Sequence, residues 1–241
     1  MKFTMQEYYS RFYKVSELAQ AERLKMQDLY LSCYDATTPE IFQGDLNAKD
    51  EVQVAYHRDE LIGFSTYFFY QFSWSGQMVR VVFSGDTIVH PDHWGKQSQM
   101  LEWLGRMGEF EREAPQVPLY WFLIAKGHRT FRLLSIFTKS FHPHWSEERP
   151  ELRELANVLA RDCFGADFDL VRGIVSLANS SVQLTSNLPE PTEAEMQKDA
   201  VRFFMSQNPG YRRGDELVCL CRLCPENLRS LPRRHFLAGH D

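Results

Sequence analysis

No apolar run in the chain is long enough to cross a bilayer, and residues Met1 to Arg11 break up their apolar side chains with polar and charged ones, leaving no signal-peptide core. A soluble, cytoplasmic protein is therefore expected. Basic charge is also in short supply: 27 Lys and Arg face 32 Asp and Glu, a net charge of −5, without the broad positive footprint of a nucleic-acid binder. Nucleic acid is thus not an expected partner. Cysteine is scarce, with five in 241 residues. Cys33 and Cys163 are isolated, while Cys219, Cys221 and Cys224 form C-x-C-x-x-C with no nearby fourth ligand for a closed zinc site. The simpler reading makes Leu217 to Leu223 a strand in which cysteines serve as small apolar residues. His142 and His144, a His-x-His pair without carboxylate or cysteine partners, are an equally weak zinc signal, and no metal is expected. Internal repeats are absent as well.

What is present is an ordinary globular composition, 44% hydrophobic, enough for a core. Apolar spacing predicts a helix from Ser16 to Tyr34, capped by Ser16, and a turn-rich stretch from Thr37 to Asp50 containing Pro39 and Gly44. Strands follow at Val52–Tyr56 and Leu61–Tyr70, joined through Arg58-Asp59-Glu60 as a tight hairpin. Leu119 to Ala125 is uniformly apolar, as in a strand buried on both faces, and leads into a helix near Phe131 to Ser140. Beyond Trp145 the pattern predicts a helix at Pro150–Cys163, a strand at Asp169–Leu177, a polar loop, a helix at Glu193–Ser206 and a strand at Glu216–Leu223.

The most informative stretch runs from Val79 to Phe110. Its β-branched and aromatic residues form a strand through Val89, Pro91 stops it, and Met100, Trp103, Leu104, Met107 and Phe110 continue at helical spacing. A strand that delivers a loop to a helix start gathers unpaired N–H groups at the positive end of a helix dipole, an environment suited to phosphate. Strict alternation along this strand places Arg80, Ser84 and Asp86 on one face and Val81, Phe83, Thr87 and Val89 on the other.

The order of helix, antiparallel strands, strand running through a loop into a helix, apolar strand and helix resembles the Gcn5-related N-acetyltransferase (GNAT) superfamily over about residues 16–145. In that family the loop reads Arg/Gln-x-x-Gly-x-Gly/Ala; here the segment is His93-Trp94-Gly95-Lys96-Gln97-Ser98, where Gly95 matches and Gln97 replaces the last small residue. Phe137 stands where a general-acid tyrosine is common, and Thr130 where an asparagine often lies. Leu61-Ile-Gly-Phe-Ser-Thr66, Ser84-Gly-Asp-Thr-Ile-Val89, Trp94-Gly95 and Asn208-Pro-Gly-Tyr211 further resemble the GNAT-like maturases that attach fatty acyl groups to ribosomally made peptides. The resemblance implies an α+β fold, a mixed and largely antiparallel sheet flanked by helices, in one acyltransferase domain over residues 1–241, with residues 146–241 as a C-terminal α/β elaboration.

It also implies N-acyl transfer from a pantetheine thioester, acyl-CoA or an acyl carrier protein, to an amine, with a peptide side chain as one such acceptor. Asp86 is the expected base for the attacking amine, with His90 and His128 as alternatives. The amides and side chains of Trp94, Gly95, Lys96, Gln97, Ser98, Arg129 and Thr130 are the expected phosphate contacts. Lys126, Arg129 and Arg132 together offer a basic surface for an acidic carrier protein. The aromatic run Phe64 to Phe72 with Trp121 and Phe122 reads first as core and second as the wall of an acyl tunnel. The competing expectation is a non-catalytic protein that keeps this fold and binds an acyl carrier or a peptide.

Overall fold

The computed structural model describes residues 7–35, 37–93, 98–176, 183–184 and 190–238. Its centre is a sheet in which β1 (Tyr8–Lys14), β3 (Glu51–His57), β4 (Glu60–Trp74), β5 (Gln77–Val89), β6 (Leu119–Ala125), β10 (Asp215–Arg222), β8 (Ile174–Ser176) and β7 (Phe168–Asp169) lie side by side in that order. A separate short ladder joins β2 (Tyr34–Asp35) to β9 (Gln183–Leu184). All neighbours in the large sheet are antiparallel except β5 and β6. The fold is thus α+β with a mixed, mostly antiparallel sheet, as expected.

Alternation along the strands sends two sets of side chains to two helical layers. Helices α3 (Ser98–Arg112), α4 (His128–Phe137), α7 (Asp199–Gln207) and α8 (Ser230–Ala238) cover one face, packing Trp103, Leu104, Phe131, Phe204 and Phe236 against Tyr67, Val82, Trp121 and Leu217. On the other face α1 (Gln20–Cys33) and α2 (Pro39–Asn47) pack Tyr30 and Phe42 on Val54, Phe64 and Ile88, and α5 (Pro150–Phe164) packs Leu155 and Leu159 on Val81, Phe122 and Val218. A short α6 (Glu193–Met196) precedes α7.

The β3–β4 turn is as tight as expected, with Arg58 and Asp59 both at positive φ, the signature of a mirror-image two-residue hairpin turn. Elsewhere the boundaries shift for identifiable reasons. Pro39 begins α2 instead of breaking a helix, because a first-turn proline loses no helical bond, and the Thr38 hydroxyl accepts from the Ile41 N–H at 3.3 Å. Ser16 caps nothing: it lies in a single tight turn, and α1 starts at Gln20 behind Ala19. The strand expected at 169–177 divides into β7 and β8 around Gly173 at φ 65°, and the helix at 193–206 breaks between α6 and α7. Strand β1 and helix α8 had no expectation attached. The region beyond residue 145 places β10 inside the sheet between β6 and β8.

Candidate active site

Strands β5 and β6 pair in parallel only from Arg80 opposite Leu119 to Ser84 opposite Leu123. Beyond those residues the ladder ends while both strands continue, and the gap between them opens a cavity of about 490 Å³. A bulge in β5 shapes its wall. Tyr67 and Ser65 of β4 face Ser84 and Thr87 of β5, so two steps on one strand match three on the other. The extra residue reverses the alternation that the sequence predicts. Ser84 and Thr87 share the face toward α3, where Ser84 Oγ accepts from Trp121 Nε1 at 2.8 Å and Thr87 Oγ1 accepts from the Ser65 hydroxyl at 3.0 Å. Asp86, expected beside Ser84, instead lies on the opposite face with Phe83 and Ile88. Gly85 is at the bulge because a Cβ there would meet Thr66 Oγ1 at 2.5 Å and Lys49 Cε at 2.8 Å.

The cavity passes through the sheet and differs at its two sides. Toward α3 and α4 its lining is Tyr67, Met100, Trp103, Trp121, Leu123 and Leu133, with the two indoles 4.6 Å apart. Toward α1 and α2 it is charged, with Asp45, Lys49, Asp86, Lys126 and Glu216 beside the phenols of Tyr30 and Tyr34. An apolar chain fits the first side and ionic chemistry the second.

Lys126 and Glu216 are brought together by register: Leu217 pairs with Ala125, so the next residues outward face each other, and Lys126 Nζ lies 3.2 Å from Glu216 Oε1. The Tyr34 ring flanks the ammonium at 5.1 Å. Asp86 makes no hydrogen bond or ion pair to another described residue and is half-buried where it lines the cavity. Burial raises its pKa, opposed by Lys126 and Lys49 and reinforced by Asp45. Glu216 is raised too, by burial first, against the pull of Lys126 and with a push from Asp86. Burial likewise raises Tyr30 and Tyr34, with Asp86 the next cause in both.

The helix bordering the apolar side is fixed at both ends. At its start, Gln53 Nε2 donates to the Gln99 carbonyl at 2.7 Å while Gln53 Oε1 accepts from the Tyr67 hydroxyl at 3.1 Å. Glu102 accepts from the Ser10 N–H at 2.9 Å and from its hydroxyl. At its end, the Arg80 guanidinium donates to the carbonyls of Phe110, Glu111, Ala114 and Val117 at 2.6–3.3 Å.

Of the residues expected in the site, Asp86 and Thr130 line the cavity. His90 and His128 do not. His90 is exposed, with its Nδ1 3.7 Å from Asp92 Oδ2. His128 is buried at the start of α4, its Nε2 3.7 Å from Glu195 Oε1, and burial lowers its pKa. Arg129 pairs with the same carboxylate at 3.9 Å. Trp94, Gly95, Lys96 and Gln97 lie outside the described residues; Ser98 opens α3. Lys126, expected on a basic docking surface, points inward instead. Phe137 packs in the core, 6% exposed.

Glu216, Asp45 and Lys49 carried no functional expectation. The available signal was that Lys126 follows one apolar strand and Glu216 opens another, which antiparallel pairing brings to one end of the sheet. Cys219 and Cys221 are buried within β10, the role given by the simpler reading. His142 bridges to Leu220, and His144 stacks on Trp145 at 4.2 Å. Among the described residues no group of three or more His, Cys, Asp or Glu is placed to hold a metal, and no helix is long and apolar enough to cross a membrane.

No protein-family model matches the sequence, and no curated protein matches it. Among solved structures the chain is similar to a conserved Enterococcus faecalis protein described as a probable N-acyltransferase, at 16% identity and TM-score 0.41 over 56% of this chain and 33% of that one. It is similar to a GCN5-related N-acetyltransferase from Kribbella flavida, at 12% identity and TM-score 0.40 over 56% and 35% of the two chains. A third similar structure is a GNAT family N-acetyltransferase from Escherichia coli in complex with CoA, at 13% identity and TM-score 0.39 over 57% and 72%. The chain spans about a third of the length of the first two.

Proposed function

We propose that the cavity between β5 and β6 is the site of an N-acyltransferase that moves an acyl group from a pantetheine thioester to an amine. The observation that carries this reading is Asp86: a carboxylate without a partner among the described residues, in a cavity that is charged on its side and apolar on the other. An amine attacks only when neutral, and a carboxyl raised by burial is a better base for the protons it sheds.

In this mechanism the amine nitrogen bonds to the thioester carbonyl carbon, and the carbonyl π pair moves to oxygen. Asp86 takes the proton from the nitrogen. The oxyanion re-forms the carbonyl, the C–S bond breaks with its pair going to sulfur, and the thiolate is protonated from Asp86 or solvent to give the free thiol. The donors for the oxyanion in this reading are backbone N–H groups of β5 past Ser84, where no β6 residue pairs. Phe137 offers no acidic hydroxyl, so the proton that returns to sulfur comes from Asp86 or from solvent.

The apolar side, walled by Trp103, Trp121, Leu123 and Leu133, supports a donor longer than acetyl, and a peptide amine is the acceptor suggested by the maturase resemblance. Acyl-CoA is the preferred donor over an acyl carrier protein, because Lys126 faces the cavity and is unavailable to an acidic docking partner. His90 and His128 rank behind Asp86 because neither lines the cavity. The test combines purified protein, octanoyl-CoA and a panel of alkylamines and lysine peptides, reading free-thiol release and product mass. Thiol release that depends on amine and is lost in Asp86→Asn supports the reading. Donor binding without amine-dependent release in any pairing replaces it with a non-catalytic acyl-binding protein.

A further inference from the structure

Five charged side chains surround the charged half of the cavity, and only two of them touch. Lys126, just beyond β6, contacts Glu216 of β10 at 3.2 Å, and both are largely buried, with side chains 18% and 9% exposed. Asp86 of β5 lines the same cavity within electrostatic reach of Lys126, with Asp45 of α2, Lys49 just beyond α2, and the phenols of Tyr30 in α1 and Tyr34 in β2 completing the surroundings. Lys49 turns its ammonium back to the Asp45 carbonyl at 3.3 Å, so of the two lysines that line the cavity Lys126 is the one ion-paired to a carboxylate within it.

We infer that Lys126 is the positioning residue of this cavity: clamped between Glu216 and the Tyr34 ring, its ammonium faces Asp86 without bonding to it and holds that carboxyl in its charged, proton-accepting form. This inference rests on the acyl-transfer reading only for its purpose, since the electrostatics exist with or without turnover. Glu216 has two effects of the same sign. It draws the ammonium away from Asp86, and it adds a negative charge nearby; both favour protonation of Asp86. Removing Lys126 leaves the Asp86 and Glu216 carboxyls with no shared cation. Removing the charge of Glu216 frees the ammonium to close on Asp86 as a direct ion pair, which makes Asp86 more acidic and a poorer base. A lysine whose role is packing alone predicts no such opposition.

The experiment follows the Asp86 carboxyl by carbon NMR in protein labelled at aspartate, with Asp86→Asn assigning the resonance, for wild type, Lys126→Met, Lys126→Arg and Glu216→Gln. Lys126→Met is expected to raise the titration midpoint by about one pH unit or more and Glu216→Gln to lower it, while Lys126→Arg stays near wild type. The acid limb of the acyl-transfer profile should move with the midpoint in each variant. An unmoved midpoint in Lys126→Met, or movement in the same direction in Lys126→Met and Glu216→Gln, overturns the inference even where transfer is observed. Midpoints that move as expected in protein with no acyl transfer sustain the inference and remove the acyl-transfer reading. If Lys126→Met does not fold, Glu216→Gln and Lys126→Arg carry the same test, since a Glu216→Gln midpoint at or above wild type is sufficient to refute it.

Discussion

Replacing Arg80 with methionine keeps most of the buried side-chain stem and deletes the charge that ends α3. The guanidinium donates at 2.6 Å to Phe110, 2.9 Å to Glu111, 2.8 Å to Ala114 and 3.3 Å to Val117, and the residue is only 4% exposed. Those carbonyls belong to the last turn of the helix and the chain just after it; Glu111 and Ala114 also accept from the Ala114 and Val117 N–H groups at 3.2 and 3.0 Å, and the guanidinium adds to those turn bonds. A bond from a charged donor contributes about 1.5–3 kcal/mol, and a carbonyl left buried costs about 1–3 kcal/mol. Four such contacts do not add, because three share one nitrogen and water can reach part of the vacated helix end. The expected loss for Arg80→Met is therefore about 3–4 kcal/mol, or a fall in Tm of roughly 10 °C for a chain of this length. Urea unfolding followed by tryptophan fluorescence measures it, with the slope m checking that both proteins unfold in the same way. A loss below about 1 kcal/mol with unchanged m would show that the carbonyls find other donors and that the guanidinium does not hold the helix.

Asp86→Asn should lower acyl transfer by on the order of 10²-fold or more, read as free-thiol release. The same substitution should raise stability at pH 8: a carboxyl whose folded pKa lies above its unfolded value weakens the fold once ionised, and the gain should shrink as pH falls below that folded pKa. Melting curves across pH that show no gain would contradict the burial of this charge. With one acceptor amine, kcat/KM should rise from acetyl to octanoyl thioester, since burial contributes roughly 0.8 kcal/mol per methylene; a preference for acetyl would make the indole-lined half of the cavity ordinary core. Gly108→Ala should cost about 1–3 kcal/mol or more, because its Cβ would fall 1.8 Å from the Phe236 carbonyl oxygen, and unchanged unfolding would refute the close approach of α8 to α3.

The fold was legible wherever a local rule and the tertiary outcome agree. Val79 to Val89, Leu119 to Ala125 and the α3 apolar stripe all formed as expected because side-chain periodicity reports burial directly. Pro39 misled because its meaning depends on whether a helix starts there, and Thr38 supplied the missing sign. Asp86 was identifiable as a carboxyl near the strand's end, but its face was not: a bulge depends on what the neighbouring strand presents, here Thr66 against Gly85. Lys126 and Glu216 stand 90 positions apart, and nothing in either neighbourhood announces that register joins them. The phosphate loop proposed at Trp94 to Gln97 lies outside the described residues.

The place of β10 has a consequence for the order of assembly. It lies between β6 and β8, so β6 gains its second neighbour, and Lys126 its counter-charge, only after more than 200 residues have been synthesised. Until then an apolar strand edge and an unpaired lysine face an incomplete gap, a state prone to pairing with other chains. Insertion of β10 closes that edge, sequesters the thiols of Cys219 and Cys221, and brings in the glutamate at the same moment. A nascent chain halted before β10 should accordingly expose β6 to proteases and chaperones, and it lacks the glutamate that completes the charged half of the cavity.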